Sequence, residues 1–267
     1  MMFVEPRFIP TLLLDSGRFV KTRRFADPVY VGDPVNVLSI FNEFVVDEII
    51  ILDITAAVSR LPESFERLRR YAEECFIPLA YGGGLTTVEQ IGDLFHAGFE
   101  KAVLNTLLAE DPATVEAAAN RYGSQAIVAS IDVRGGEGQR QVVVRGNRKL
   151  VSDSPAAWAR RAVELGAGEI LITSVDREGT GSGFDLDLIG EITEAVCVPV
   201  IGHGGAGRRV DLAAPVHEAG ASAVAAGTLF VFQGPGRGVL INYPPRRQIE
   251  KILNAVDRPP IDGQRSA

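Results

Sequence analysis

The second half of this chain repeats the first, and a repeat of that length leaves few folds open. Gly82-Gly83-Gly84 is followed by a helical stretch closing in His96-Ala97-Gly98, then by a strand ending Leu104-Asn105-Thr106. Gly204-Gly205 is followed in the same order by His217-Glu218-Ala219-Gly220 and Ala226-Gly227-Thr228. Each glycine strand also comes after a cysteine and a proline, Cys75 with Pro78 and Cys197 with Pro199. These features in register, offset by about half the chain, describe two fused halves.

Short apolar runs alternate with longer segments of helical period. The predicted strands are Phe8–Leu14, Glu48–Asp53, Leu79–Tyr81, Ala102–Leu104, Ala126–Asp132, Glu169–Ser174, Val200–Gly202 and Ala223–Ala226. Predicted helices include Ser64–Cys75, Val88–Ala97, Pro112–Tyr122, Ala156–Leu165, Leu186–Val196 and Leu212–Ala219. Strands each followed by a helix imply an α/β fold, a single (β/α)8 TIM barrel built from two fused half-barrels over residues 1–257. An open doubly wound sheet is the rival, but no GxGxxG turn follows the first strand. After Asp132, the glycine-rich Arg134–Gly138 and the alternating Gln141–Arg145 read as a β-hairpin inserted over the barrel mouth. Residues 258–267 form a polar tail, expected to be frayed.

Composition narrows the function classes. With 27 Lys+Arg against 34 Asp+Glu, a net charge of −7 and pI ≈ 5.1, bulk charge favours neither nucleic acid nor an anionic membrane. No apolar run approaches the roughly 18–20 residues needed to cross a bilayer, and the N-terminus lacks the pattern of a signal peptide. Cys75 and Cys197 fit no metal or redox spacing and read as small buried side chains in a reducing, cytoplasmic compartment. No metal or cofactor is expected.

In such a barrel, chemistry sits at the C-terminal ends of the strands. Asp53, Asp132 and Asp176 fall there. Each could be a helix N-cap, but three carboxylates around one mouth also suit acid/base work. Gly83-Gly84 with Asn105-Thr106, and Gly204-Gly205 with Gly227-Thr228, read as two anion cradles in which backbone N–H groups approach phosphate. Tight strand–helix turns without ligand are the alternative. His96 and His217 occupy matching helix ends and Trp158 sits within a helix, all read as packing, whereas His203 stands at a strand end facing the mouth as a ligand-contact candidate.

Over nearly its whole length the chain resembles a known family. Ile51-Leu52-Asp53-Ile54-Thr55-Ala56, Gly82-Gly83-Gly84, Leu104-Asn105-Thr106, Tyr122–Ala126, Gly166–Leu171 and Thr173–Gly183 occur in order. Together they resemble the cyclase (HisF-type) subunit of imidazole glycerol phosphate synthase, a glutamine amidotransferase in which a separate glutaminase sends ammonia through the barrel axis. The resemblance implies that Arg7, Glu48, Lys101 and Glu169 form a ring of charges gating the barrel floor. It implies a HisH-like glutaminase docked there and a phosphate-bearing substrate at the mouth, with Asp53 and His203 toward the substrate and Gly179 among the phosphate contacts. Such a cyclase uses an Asp at the end of strand one and another at the end of strand five. Asp132 matches the second, and Leu13 stands at the first, with Asp15 a substitute only if the chain shifts. Asp176 is carried as a further catalytic candidate. His203 and Gly227 replace small hydroxyl residues, and Glu178 stands where the family has Asp.

These departures resemble a paralogous group, the glycosyl amidation-associated (WbuZ-type) proteins. Pro10–Leu14, Phe19-Val20-Lys21-Thr22, Phe230–Pro235 and Val239–Pro244 carry that likeness. The expected activity is addition of glutaminase-derived ammonia to an acetamido sugar during surface-glycan synthesis, with a third, synthetase-like protein. The alternatives are a true cyclase–lyase of histidine biosynthesis and a non-catalytic ammonia-channelling scaffold.

Overall fold

A computed structural model describes residues 5–59, 62–233 and 238–256. The polar tail at 258–267 and part of the Phe230–Pro235 segment lie outside the described residues.

Eight parallel strands close on themselves. They are β1 (Arg7–Asp15), β2 (Ile49–Asp53), β3 (Leu79–Gly82), β4 (Lys101–Leu104), β5 (Ile127–Arg134), β6 (Glu169–Ser174), β7 (Val200–His203) and β8 (Ala223–Ala226). Each pairs with its neighbours in chain order, β8 returns to β1, and β5 pairs with β6, so no barrel edge is left open. A helix follows each strand, and several starts are written in the sequence. Ser64, Thr87, Asp111 and Ser154 each accept from the backbone N–H three residues on, and proline occupies the first turn after Asp111 and Ser154. Among the described residues no helix is long and apolar enough to cross a membrane.

The strands bury both faces, which is why Ile49-Ile50-Ile51-Leu52 is apolar without alternation. Ile49 and Ile51 join the outer core between sheet and helices. Ile9, Ile50, Ala80, Val103, Val128, Leu171, Ile201, Ala223 and Ala225 fill the waist of the barrel instead. Below that waist the inward side chains are charged, and above it they are polar on β5 to β7 but Leu13, Leu52 and Gly82 on β1 to β3.

The two halves match in detail. Gly83 (φ +134°) and Gly204 (φ +93°) both lie in the left-handed region. A Cβ on Gly83 would come within 2.6 Å of Asp53 O, and one on Gly204 within 2.7 Å of Ser174 O. Both first strands also run on into antiparallel extensions. Leu13–Asp15 pairs with Arg18–Val20 of strand Arg18–Arg23, and Asp132–Arg134 pairs with Gln141–Val143 of strand Gln141–Val144. Further strands, Ala26–Gly32 and Lys149–Ser152, complete these two hairpins. Leu13 opposite Val20 therefore corresponds to Asp132 opposite Val143.

Two expectations need correction. The helix expected over 212–219 is confined to Ala214–His217, preceded by a 3-10 turn at Arg209–Leu212, with Pro215 in its first turn. Cys75 is buried as expected, but Cys197 is exposed, because it lies in the turn between the helix Leu186–Ala195 and β7 rather than on a packed face.

Gly83→Ala and Gly204→Ala should destabilise the chain similarly. Backbone strain alone is about 1–3 kcal/mol each, with the carbonyl clash added. Urea unfolding checks this, and a silent substitution at either site would show that its turn does not need the left-handed conformation.

Candidate active site

The barrel interior is charged at the floor, apolar at the waist and polar along one side of the mouth. At the floor, Arg7, Glu48, Lys101 and Glu169 project inward and close a four-membered ring of alternating sign. Arg7 Nη1 meets Glu48 Oε2 at 2.5 Å, and Arg7 Nη2 is paired with Glu169. Lys101 Nζ lies 2.8 Å from Glu48 Oε2 and 2.8 Å from Glu169 Oε2. The carboxylates are buried and the cations partly exposed, so the ring faces outward on its positive side. Neutralisation within the ring offsets the desolvation that either carboxylate alone would suffer. Glu48 Oε1 is left buried without a partner among the described residues.

At the mouth, Asp132 of β5, Thr173 of β6 and His203 of β7 stand side by side in register. Asn105, just past β4, donates from Nδ2 to Asp132 Oδ2 at 3.2 Å and to Ser130 O at 2.9 Å. Thr173 stands beside Asp132 in register, and its Oγ1 lies 3.1 Å from His203 Nδ1. Burial pushes the Asp132 carboxyl up to about 7, against the opposing pull of the Thr173 side chain. Burial, helped by the charge of Lys21, pushes His203 down to about 3, so its ring is neutral. These groups line a cavity of about 270 Å³ that also reaches Leu13, Gly83, Gly84, Asn105 and Thr106.

The two cradles share a backbone but differ in content. Asn105 (φ −122°, ψ −79°) and Gly227 (φ −104°, ψ −70°) adopt similar conformations at the starts of the short helices Thr106–Glu110 and Thr228–Val231. The first cradle opens into the cavity, and Thr106 Oγ1 accepts from Arg145 N of the second hairpin at 3.3 Å. The second cradle is a recess of about 10 Å³ in which Gly179, Gly204, Gly205, Gly227 and Thr228 surround the Lys21 side chain. Buried Lys21 is paired with buried Glu178, whose other oxygen accepts from Thr22 Oγ1 at 3.1 Å and Phe25 N at 3.2 Å. A Cβ on Gly227 would lie 3.0 Å from both Lys21 Cε and Thr11 O. Thr228 Oγ1 is buried and unpartnered among the described residues.

Other candidates lie apart. Asp15 accepts from Thr55 Oγ1 at 2.6 Å beyond the mouth, while Leu13 lines the cavity. Asp176 is exposed and accepts from Gly135 N at 2.7 Å in a separate groove. Asp53 borders the cavity, but both its oxygens are engaged, one by Ala56 N at 2.8 Å and the other by Tyr81 Oη at 3.2 Å. Burial pushes its carboxyl up to about 6. Among the described residues no cluster of three His, Cys, Asp or Glu side chains is placed to hold a metal ion.

The profile of the family described as "Histidine biosynthesis protein" matches residues 7–234. The chain belongs to that family. A protein of Pseudomonas aeruginosa named "Putative imidazole glycerol phosphate synthase subunit hisF2" is 43% identical over 248 residues, spanning 92% of this chain and 99% of that protein. The "Imidazole glycerol phosphate synthase subunit HisF" of Frankia casuarinae is 43% identical over 237 residues, spanning 86% and 92%. Its namesake in Alkaliphilus metalliredigens is 41% identical over 228 residues, spanning 85% and 90%.

Within this family member, several cavity residues carry little signal in the sequence. Thr173 was visible only as part of a motif, although its position two residues after inward Leu171 marks it as mouth-facing. Lys21 sat in a motif with no sign that it reaches the second cradle. Arg148 and Phe25, which line the cavity from the two hairpins, carried no signal at all.

The raised Asp132 carboxyl makes a stability test possible. Below pH 3.8 it is neutral in both folded and unfolded chains and costs nothing. Between there and about 7 only the unfolded chain ionises, so stability falls as pH rises, and above about 7 the full penalty persists. Asp132→Asn removes that penalty. Its urea midpoint should exceed the parent's at pH 8 by the equivalent of roughly 2–4 kcal/mol and converge with it near pH 4. A difference that does not shrink on acidification would mean that ionisation is not its source.

Proposed function

We propose that this chain is the ammonia-receiving synthase barrel of a glutamine-dependent amidotransferase. A HisH-like glutaminase docks on the floor, and ammonia passes the Arg7–Glu48–Lys101–Glu169 ring and the apolar waist to reach Asp132. The internally neutralised ring and the waist of Ile, Leu, Val and Ala side chains support this path, since an uncharged amine crosses such a layer far more cheaply than ammonium. The first cradle receives a phosphate of the substrate on its backbone N–H groups. Confinement beside the substrate supplies high effective concentration.

The substrate in this reading is an acetamido sugar carried on a phosphate-bearing handle, amidated for a surface glycan with help from a third, synthetase-like protein. The observation that carries it is Leu13. It lines the cavity at the register position matching Asp132, so this symmetric pair of positions holds one carboxylate where the cyclase reaction implied by the resemblance uses two. The names of the relatives favour a second reading, the cyclase–lyase of imidazole glycerol phosphate synthesis with Asp15 recruited. Complementation decides between them: the gene should fail to support growth of a histidine auxotroph lacking the cyclase subunit. Ordinary growth would overturn the sugar reading and establish the cyclase.

Asp132→Asn should lower turnover of the glutaminase complex about 10²–10⁴-fold with either glutamine or ammonium as nitrogen source. Lys101→Ala should impair glutamine-driven turnover while sparing ammonium-driven turnover. If Asp132→Asn left both rates intact, the barrel would be a channelling scaffold for another protein's chemistry.

A further inference from the structure

The mouth is chemically one-sided. In the second half its inward layer reads Asp132, Thr173, His203 across β5, β6 and β7. The corresponding layer of the first half, across β1, β2 and β3, reads Leu13, Leu52, Gly82. None of these three can move a proton.

The polar side is wired. An ionised Asp132 can only accept, so a Thr173 hydroxyl turned toward that carboxylate beside it in register gives up its single proton there and offers a lone pair to His203 Nδ1 at 3.1 Å. Nδ1 must then carry the ring proton, which leaves the lone pair on Nε2. His203 borders both the cavity and the second cradle, and Nε2 has no partner among the described residues.

We propose that His203, acting through Thr173 onto Asp132, is the second proton-handling group of the mouth, supplying what the first half lacks at Leu13. The proposal rests on the amidotransferase reading. As ammonia attacks an activated carbon–oxygen centre, the C–N bond forms, the C–O bond breaks with its electron pair going to oxygen, and nitrogen must lose one proton. Nε2 takes it, Nδ1 passes its own proton to Thr173 Oγ1, and the hydroxyl proton moves to Asp132. The protonated carboxyl then delivers a proton to the departing oxygen, so one proton leaves nitrogen and one reaches oxygen. The imidazole changes tautomer without acquiring net charge. That suits a ring whose charged form is suppressed by burial and by Lys21. A carboxyl pushed up to about 7 suits a group that must both take and return a proton. The other charged groups facing this region are Lys21 and Glu178 at the second cradle, and Asp53 and Arg148 across the cavity.

The test has two arms. Long-range ¹⁵N–¹H NMR of histidine-labelled full chain, with His203→Gln identifying the signal among the three histidines, reads the tautomer. The expected result is a single Nδ1–H form at pH 8, where Asp132 is ionised, with no imidazolium forming down to pH 5, and loss of that fixed tautomer in Thr173→Val. An Nε2–H form at pH 8, or protonation of the ring to imidazolium near 6.5, would overturn the relay. In the glutaminase complex, His203→Gln and Thr173→Val should each lower kcat about 10–10²-fold with KM nearly unchanged, and Thr173→Ser should restore most of it. Full kcat in His203→Gln would overturn the relay and leave the amidotransferase reading standing. Absence of amidation by the unmutated complex would instead sink that reading, and the tautomer measurement would still decide the relay.

Discussion

Everything in this barrel depends on side-chain alternation along strands that close into a ring. Because residues two apart share a face, a strand that starts with an inward Glu48 must also place Ile50 and Leu52 inward, and one that starts with Glu169 must do so with Leu171 and Thr173. Floor, waist and mouth are therefore successive steps of the same parity. A one-residue slip in β6 would bury Ile170 and Ile172 inside the barrel and expel both the floor carboxylate and the mouth hydroxyl.

That parity accounts for what was legible beforehand. Strand positions and the duplication follow from local pattern, since Gly83 and Gly204 signal left-handed turns, whereas the membership of the floor ring is legible through the family resemblance. Hairpin geometry was harder. Ala26–Gly32 contains Pro28 and exposes Val29 and Tyr30, so it lacks the alternation by which a half-buried strand is recognised. The pairing of Lys21 with Glu178 joins residues 157 positions apart, and nothing local marks it. Asp176 looked equivalent to Asp132 along the chain, but it falls just past β6, where the backbone turns outward toward Gly135.

The electrostatic layering has a cost that shapes the interior. Two buried carboxylates at the floor are tolerable because two cations bridge them in both directions, whereas Asp132 has no cation partner among the described residues and responds by holding its proton to higher pH. The apolar waist separates these two solutions. A charge midway along the barrel would have neither a salt-bridge partner nor a polar network to receive it.

The second cradle makes the order of evolutionary change matter. Lys21 lies where a side chain at 227 would extend, and Thr11 O closes the other side. A side chain gained at 227 requires Lys21 and Thr11 O to give way by a few tenths of an ångström, and Lys21 cannot leave without stranding the buried Glu178. Substitutions at 21, 178 and 227 are thus bound into one unit. Changing one of the three alone therefore leaves either a tight contact at 227 or a buried carboxylate without its cation.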